Sequence, residues 1–201
     1  MGIHLTRIYT RQGDGGDTRL GDMTLVRKDH LRVAAYGDVD ETNAVIGVVR
    51  AQDLPDGWDV GLGRVQNDLF DVGADLAVPV DPASADARLR IAAGRVTWLE
   101  EWCDDVNAGL APLESFVLPG GGAAAVHLHV ARTVCRRAER SVVMLCDHEP
   151  VGTVGVNVVA YLNRLSDLLF ILARGANAAS GRGDVLWIPG GGASGGDSAT
   201  G

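Results

Sequence analysis

The sequence predicts an all-α fold, a five-helix bundle preceded by an N-terminal Gly-rich loop. Three observations carry this expectation: five long segments with apolar residues recurring every three or four positions, almost no strict apolar–polar alternation, and short Gly- or Pro-marked connections. The chain has 201 residues, 46% hydrophobic and 22% charged, which suits one folded domain with a sizeable core. Aromatics are only 5%, so that core must be aliphatic.

Residues 1–37 are polar and glycine-rich, with a β-prone LTRIYT at 5–10 and no helical period, so a structured loop is expected there. Asp38, with Glu41 three residues on, reads as a capping box ahead of Ala44, Val45, Val48 and Val49. The first helix is therefore expected from about 39 to 52, ending near Pro55 and Gly57. Leu62, Val65, Leu69, Val72 and Leu76 form one face of a second, from about 59 to 77, stopped by Pro79 and Pro82. A third, about 86–108, carries Ile91, Val96, Leu99, Trp102, Cys103 and Val106, and closes at Gly109 and Pro112. After PGGG at 119–122 a fourth runs to about Asp147, with Val126, Val130, Val134, Ala138 and Val142 stepping by four as its apolar face. The fifth, about 153–178, is apolar at Val154, Val158, Leu162, Leu165, Leu169 and Leu172. Residues 1–180 then form a single domain, and 181–201 a Gly-rich, largely disordered tail in which VLWIP at 185–189 could dock. Deleting that tail should not unfold the bundle.

Glycine is the compositional outlier, with 27 residues where a chain of this length usually has roughly 7%. Fifteen of them lie in three clusters, at 13–21, 120–122 and 181–201. A net charge of −8 argues against a nucleic-acid partner, although a local arginine cluster can still hold a small polyanion. The three cysteines, Cys103, Cys135 and Cys146, have no CxxC spacing and read as buried thiols in a reducing compartment. No run is long and apolar enough for a membrane span, and the N-terminus lacks a secretory pattern, so a cytoplasmic location is expected.

Four constellations could carry chemistry, one of them SFVLPGGG at 115–122, where Phe116 leads an apolar tetrad into a Gly turn and a core phenylalanine is the plainer reading. In TRQGDGGDTRL at 10–20, Gly13, Gly15 and Gly16 let successive amides turn toward an anion, Thr10 and Thr18 add hydroxyls, and Arg11 and Arg19 add charge. Asp14 or Asp17 could hold a phosphate-bound Mg²⁺, while an ordinary Gly/Asp turn is the plainer reading. No Walker loop occurs anywhere in the chain. On the fourth helix Arg132, Arg136 and Arg140 form an i, i+4, i+8 stripe flanked by Arg137 and Glu139. A solvated, salt-bridged face is the plainer reading of a typical arginine-bearing helix, yet here four of the 17 arginines fall within nine residues of an otherwise acidic chain. Guanidinium forks suit triphosphate oxygens. In YLNRLSD at 161–167, Asn163 and Asp167 lie one turn apart on an apolar helix, either as a polar pair facing another helix or as a ligand contact. His127 and His129 point to different faces of a helix and make a poor metal pair, so no metal site is assigned to protein side chains.

Taken in order and spacing, TRQGDGGDTRL, Lys28 in VRKD, AYGDVDETN, FVLPGGG, HVARTVCRRAER and YLNRLSD resemble the PduO-type ATP:cob(I)alamin adenosyltransferases over about residues 5–178. The resemblance implies a homotrimer with active sites between subunits, transferring the 5′-deoxyadenosyl group of ATP to the cobalt of a reduced corrinoid and releasing triphosphate. By the same resemblance Thr10, Arg11, Gln12, Gly13, Thr18, Arg19, Lys28, Arg136, Arg137, Glu139, Arg140 and Asn163 are ATP contacts. Arg136 is the residue expected to stabilise charge on the departing triphosphate. Asp40 and Arg132 match an ion pair shaping the site across the interface, and Phe116 the aromatic below the corrin ring that excludes the lower axial ligand. Mg²⁺ is the implied companion of ATP, and a flavin-dependent reductase and an adenosylcobalamin-dependent mutase are partners the family leaves open. Two departures stand out: Gln12 replaces a threonine of the usual TRTGD or TKTGD, and Thr42 stands where DELN has Leu. The competing readings are a corrinoid- or nucleotide-binding delivery or sensing protein without turnover, and a helical oligomer whose arginines merely build its interface.

Overall fold

The computed structural model describes residue 9, residues 11–81 and residues 88–191. Five helices follow a short hairpin: β1 Asp17–Arg19, β2 Leu25–Arg27, α1 Leu31–Arg50, α2 Trp58–Ala77, α3 Ala93–Asn107, α4 Ala123–His148 and α5 Val158–Ala179. The neighbours run α2, α1, α4, α5, α3, so α4 and α5 form the centre of the bundle. Their core is aliphatic, built from residues such as Ile46, Leu69, Leu128, Leu145, Leu165 and Leu172, all within 1% of complete burial. Among the described residues no helix is long and apolar enough to cross a membrane.

The first helix begins eight residues before the sequence-based start. Ala35 and Val39 continue the four-residue apolar step of the helix toward its N-terminus, and both are buried. His30 is the cap, its Nδ1 accepting from the Arg32 amide at 3.1 Å. Asp38 is therefore a mid-helix residue that accepts from the Ser141 hydroxyl of α4 instead of capping. Thr42, one of the two departures, is fully buried and turns its hydroxyl back to the Asp38 carbonyl at 2.8 Å, which lets a polar residue occupy an apolar position.

The face of α4 also differs from expectation. Its core stripe is Leu128, Ala131, Cys135, Ala138, Val142 and Leu145, spaced three and four, whereas Val126 and Val130 are exposed. A strict step of four advances 400° and drifts about 40° per step, so a run of five such positions cannot stay on one face. The third helix starts at Ala93 and not near 86; residues 82–87 lie outside the described set. Before it, the Ile91 amide donates to the buried Asp75 carboxylate at 3.0 Å. The fifth starts at Val158, because 153–157 form a turn in which Asn157 donates to the Ile91 carbonyl at 2.9 Å.

The hairpin was not foreseen from the sequence; the LTRIYT stretch falls almost wholly outside the described residues. Residues 181–191 of the tail include an antiparallel bridge, Val117 to Leu186, so VLWIP docks on the segment before α4. The cysteines are free; only Cys135 is fully buried, while Cys103 is half-buried and Cys146 exposed.

Leu165→Ala should lower unfolding free energy by about 2–5 kcal/mol in urea titration, since the site is sealed on all sides. His129 is 3% exposed and neither ring nitrogen has a hydrogen-bond partner among the described residues. Burial first, and then the nearby Arg132 guanidinium, hold its proton affinity below the usual histidine range against the smaller pull of Asp184. The unfolded chain thus binds a proton that the folded chain refuses, and stability falls as pH drops below about 6.5. His129→Gln should flatten that part of the profile in denaturation at pH 7.5 and 5.5; identical slopes would exclude His129 as the group responsible.

Candidate functional site

The Gly-rich loop closes on the hairpin. β1 and β2 pair antiparallel with Asp17 opposite Arg27, Thr18 opposite Val26 and Arg19 opposite Leu25. This folds Lys28 back across the loop: the Gly16 carbonyl accepts from the Lys28 amide at 2.8 Å, and the Gly16 amide donates to the Gly13 carbonyl at 3.1 Å. Gly13 is tight for a reason of packing, since a Cβ there would lie 3.0 Å from Lys28 Nζ. Gly16 has φ of +90°, a left-handed conformation, and lies against the Arg27 guanidinium. Arg11 also adopts positive φ, +62°, uncommon for a residue with a side chain, and its guanidinium sits 5.8 Å from the Tyr9 ring.

The result is an open cleft of about 770 Å³ lined by Tyr9, Arg11, Gln12, Gly13, Asp14, Asp17, Thr18, Arg19, Leu25 and Lys28. Every predicted loop contact that the structure describes lies on its wall; Thr10 falls outside the described residues. Arg19 donates to the Met23 carbonyl at 2.9 Å, which fixes its stem beside the cleft. Three cations and two carboxylates face one volume, a composition suited to a polyphosphate with a divalent ion. No group of three or more metal-ligating side chains exists among the described residues, so an ion here would take one or two carboxylates and complete its shell from phosphate and water. Tyr9 and Leu25 are cleft residues the sequence did not single out; their only signal was proximity to the loop.

The arginine stripe is a second, separate surface. None of its residues lines the loop cleft. Arg137 is engaged within the chain, bonded to Glu41 and 3.7 Å from Asp38, both on α1. Glu139 accepts from Asn163 Nδ2 at 2.9 Å, and Asn163 Oδ1 accepts from Arg164 at 3.1 Å, so two predicted contacts form one polar link from α4 to α5. Asp167 pairs with Arg164. Arg136 and Arg140 are exposed and make no ion pair among the described residues, which leaves both guanidinium forks open to an anion. Arg132 is half-buried, and its Nε has no acceptor. Burial, and then repulsion from Arg136, lower its proton affinity.

Asp40 is exposed on the rim of a groove between α1 and α2, about 340 Å³ and lined by apolar side chains including Tyr36, Leu69 and Phe70. Asp40 and Arg132 form no ion pair with one another, and neither has a charged partner, among the described residues. Phe116 is 77% exposed, on the segment that the tail bridges, with its ring edge-to-face against Trp187 at 5.9 Å. A phenylalanine so exposed is not a core residue.

A family model for cobalamin adenosyltransferase matches residues 8–176. The corrinoid adenosyltransferase of Mycobacterium tuberculosis H37Rv is 55% identical over 193 residues, 95% of this chain and 97% of that protein. The Homo sapiens corrinoid adenosyltransferase MMAB is 37% identical, covering 92% and 74% of the two chains. Among solved structures, a phenylalanine-to-alanine variant PduO-type ATP:corrinoid adenosyltransferase from Lactobacillus reuteri, complexed with cobalamin and ATP, superposes with a TM-score of 0.83 at 37% identity over 90% of this chain and 99% of that one. With the five helices, the cationic cleft and the open arginine stripe, these likenesses identify the chain as a member of the cobalamin adenosyltransferase family.

Proposed function

We propose that this chain is an ATP:corrinoid adenosyltransferase whose site is completed between two copies, the loop cleft of one facing the arginine stripe of the other. The single observation that carries the reading is the separation of two cationic half-sites on one chain, with Arg136 and Arg140 outside the 770 Å³ cleft that holds Lys28, Arg11 and Arg19. A homotrimer is the proposed assembly, supported by Asp40 and Arg132, which have no charged partner among the described residues and would meet across the interface, and by exposed Phe70, Val126 and Val130.

The reaction transfers the 5′-deoxyadenosyl group. The cobalt(I) electron pair attacks ATP C5′, the C5′–O5′ bond breaks, and triphosphate leaves with that bond's electrons while cobalt becomes formally cobalt(III). The corrinoid brings its own nucleophile, so the protein's work is alignment and charge stabilisation. Lys28, Arg11, Gln12, Gly13, Thr18 and Arg19 are proposed to hold the triphosphate, with Thr10 beside them in sequence. Arg136 is proposed to face the charge developing on the leaving oxygen, and Arg140 the outer phosphates. Glu139 and Asn163, bonded to each other, and Arg137, bonded to Glu41 of α1, are proposed as further ATP contacts. Mg²⁺ would sit at Asp14 or Asp17 and neutralise phosphate charge when bound. Phe116 is proposed to lie below the corrin, keeping cobalt free of its lower ligand and so easier to reduce from cobalt(II). A flavin-dependent reductase and an adenosylcobalamin-dependent mutase are the proposed supplier and recipient, in a cytoplasmic setting in keeping with free cysteines.

Incubating the protein with MgATP and chemically reduced cobalamin should give the spectral change to the adenosylated corrinoid, and no turnover would refute the activity. Arg136→Ala should cut turnover by about 10²–10³-fold, the usual cost of one transition-state donor, with the melting curve unmoved. Phe116→Ala should slow the cobalt(II)-dependent assay far more than the pre-reduced one; equal losses would remove the role given to Phe116.

A further inference from the structure

Phe116 projects into solvent from a ribbon of two irregular segments joined at a single antiparallel bridge, Val117 to Leu186, an arrangement that does not hold itself in water. The ribbon is made by the Leu118 amide donating to the Val185 carbonyl at 2.7 Å, the Trp187 amide to the Phe116 carbonyl at 2.8 Å, and the Ser115 hydroxyl to the Trp187 carbonyl at 2.9 Å. Its anchorage lies elsewhere, in two buried polar side chains one turn apart near the end of α5. Arg174, 5% exposed, donates through Nε to Asp184 Oδ2 at 2.8 Å and through Nη2 to the Ala111 carbonyl at 2.6 Å. One guanidinium thus grips both arms of the ribbon, the tail before Val185 and the loop before Ser115. Asn177, 1% exposed, donates to the Gly120 carbonyl at 3.1 Å and accepts from the Gly122 amide at 3.0 Å, clamping the far end of the same loop. Gly121 has φ of +109°, and a Cβ there would overlap the Asn177 amide, so the turn fits this clamp only as glycine.

We infer that Arg174, Asp184 and Asn177 are positioning residues: a buried latch at the end of α5 that sets the Phe116–Trp187 ribbon and thereby tunes the chain for cobalt(II) corrinoid. None of the three needs to touch a substrate. A guanidinium bound to both arms fixes their separation and register, and the edge-to-face contact then fixes the ring of Phe116. Asp184 lies beyond residue 180, so the tail contributes to the site from inside the fold as well as along its surface. The inference rests on the corrin-facing reading of Phe116 given above.

The test compares Asp184→Asn with wild type and with Phe116→Ala, using the full-length protein, MgATP, and cobalamin supplied either as cobalt(II) with a reducing system or chemically pre-reduced. The electron paramagnetic resonance spectrum of bound cobalt(II) cobalamin reports whether the lower ligand is displaced. Asp184→Asn keeps the shape of the side chain and removes its charge; the ratio of cobalt(II) to pre-reduced turnover should fall about tenfold, the scale of one lost charge-assisted hydrogen bond, with a smaller lower-ligand-free signal. Asp184→Glu should restore part of both. If Asp184→Asn does not fold, Arg174→Lys, which keeps the charge but cannot span both acceptors, should produce the same fall. Should Phe116→Ala shift ratio and spectrum while the latch variants shift neither, or lower both assays equally, the latch is overturned and the role of Phe116 stands. Should Phe116→Ala itself leave them unmoved, both readings fail.

Discussion

The burial of one face of α4 is the constraint on which the site depends. Leu128, Ala131, Cys135, Ala138, Val142 and Leu145 pack between α1 and α5, and that contact fixes the helix's rotation about its own axis. Everything the arginines can do follows from it. Because successive residues of the stripe drift about 40° per four-residue step, Arg132 is carried half under the surface while Arg136 and Arg140 emerge clear of it. Arg137 is turned toward the carboxylates of α1. The same rotation leaves Val126 and Val130 facing outward and unused by the core.

A chain of net charge −8 that binds a polyanion must gather its few cations locally. It does so twice. At the hairpin, Gly13 brings Lys28 under the loop backbone, and the left-handed Gly16 lets the loop return toward β2. On α4, the acidic neighbours take Arg137 and leave Arg132, Arg136 and Arg140 without carboxylates among the described residues. Neither half resembles a closed pocket, and the division between them explains why one chain presents a wide cleft with no arginine of the stripe on its wall.

Four buried polar side chains, Arg32, Asp75, Arg174 and Asn177, stand where helices meet loops. Arg32 bridges the Leu76 carbonyl and Glu149 at one end of the bundle, and Asp75 holds the approach to α3. Arg174 and Asn177 do the equivalent at the other end, next to Phe116. Each replaces backbone pairing that irregular segments lack, which is how loops with little core of their own keep a defined place.

The sequence by itself determined the helical class, the number of helices and the bounds of α2 nearly to the residue, and it marked where charge clusters in the loop and on α4, because apolar spacing and clustered charge are local properties. It misplaced the start of α1, since a capping box marks a local preference that the continued burial of Ala35 and Val39 overrides. It also put Val126 and Val130 inside, since a step of four looks regular in one dimension and drifts in three. The hairpin, the docking of Trp187 on Phe116, and the latch of Arg174, Asn177 and Asp184 were decided only by tertiary structure. Their partners stand from 6 to 72 residues apart, and no local pattern records which distant carbonyl a buried side chain will find.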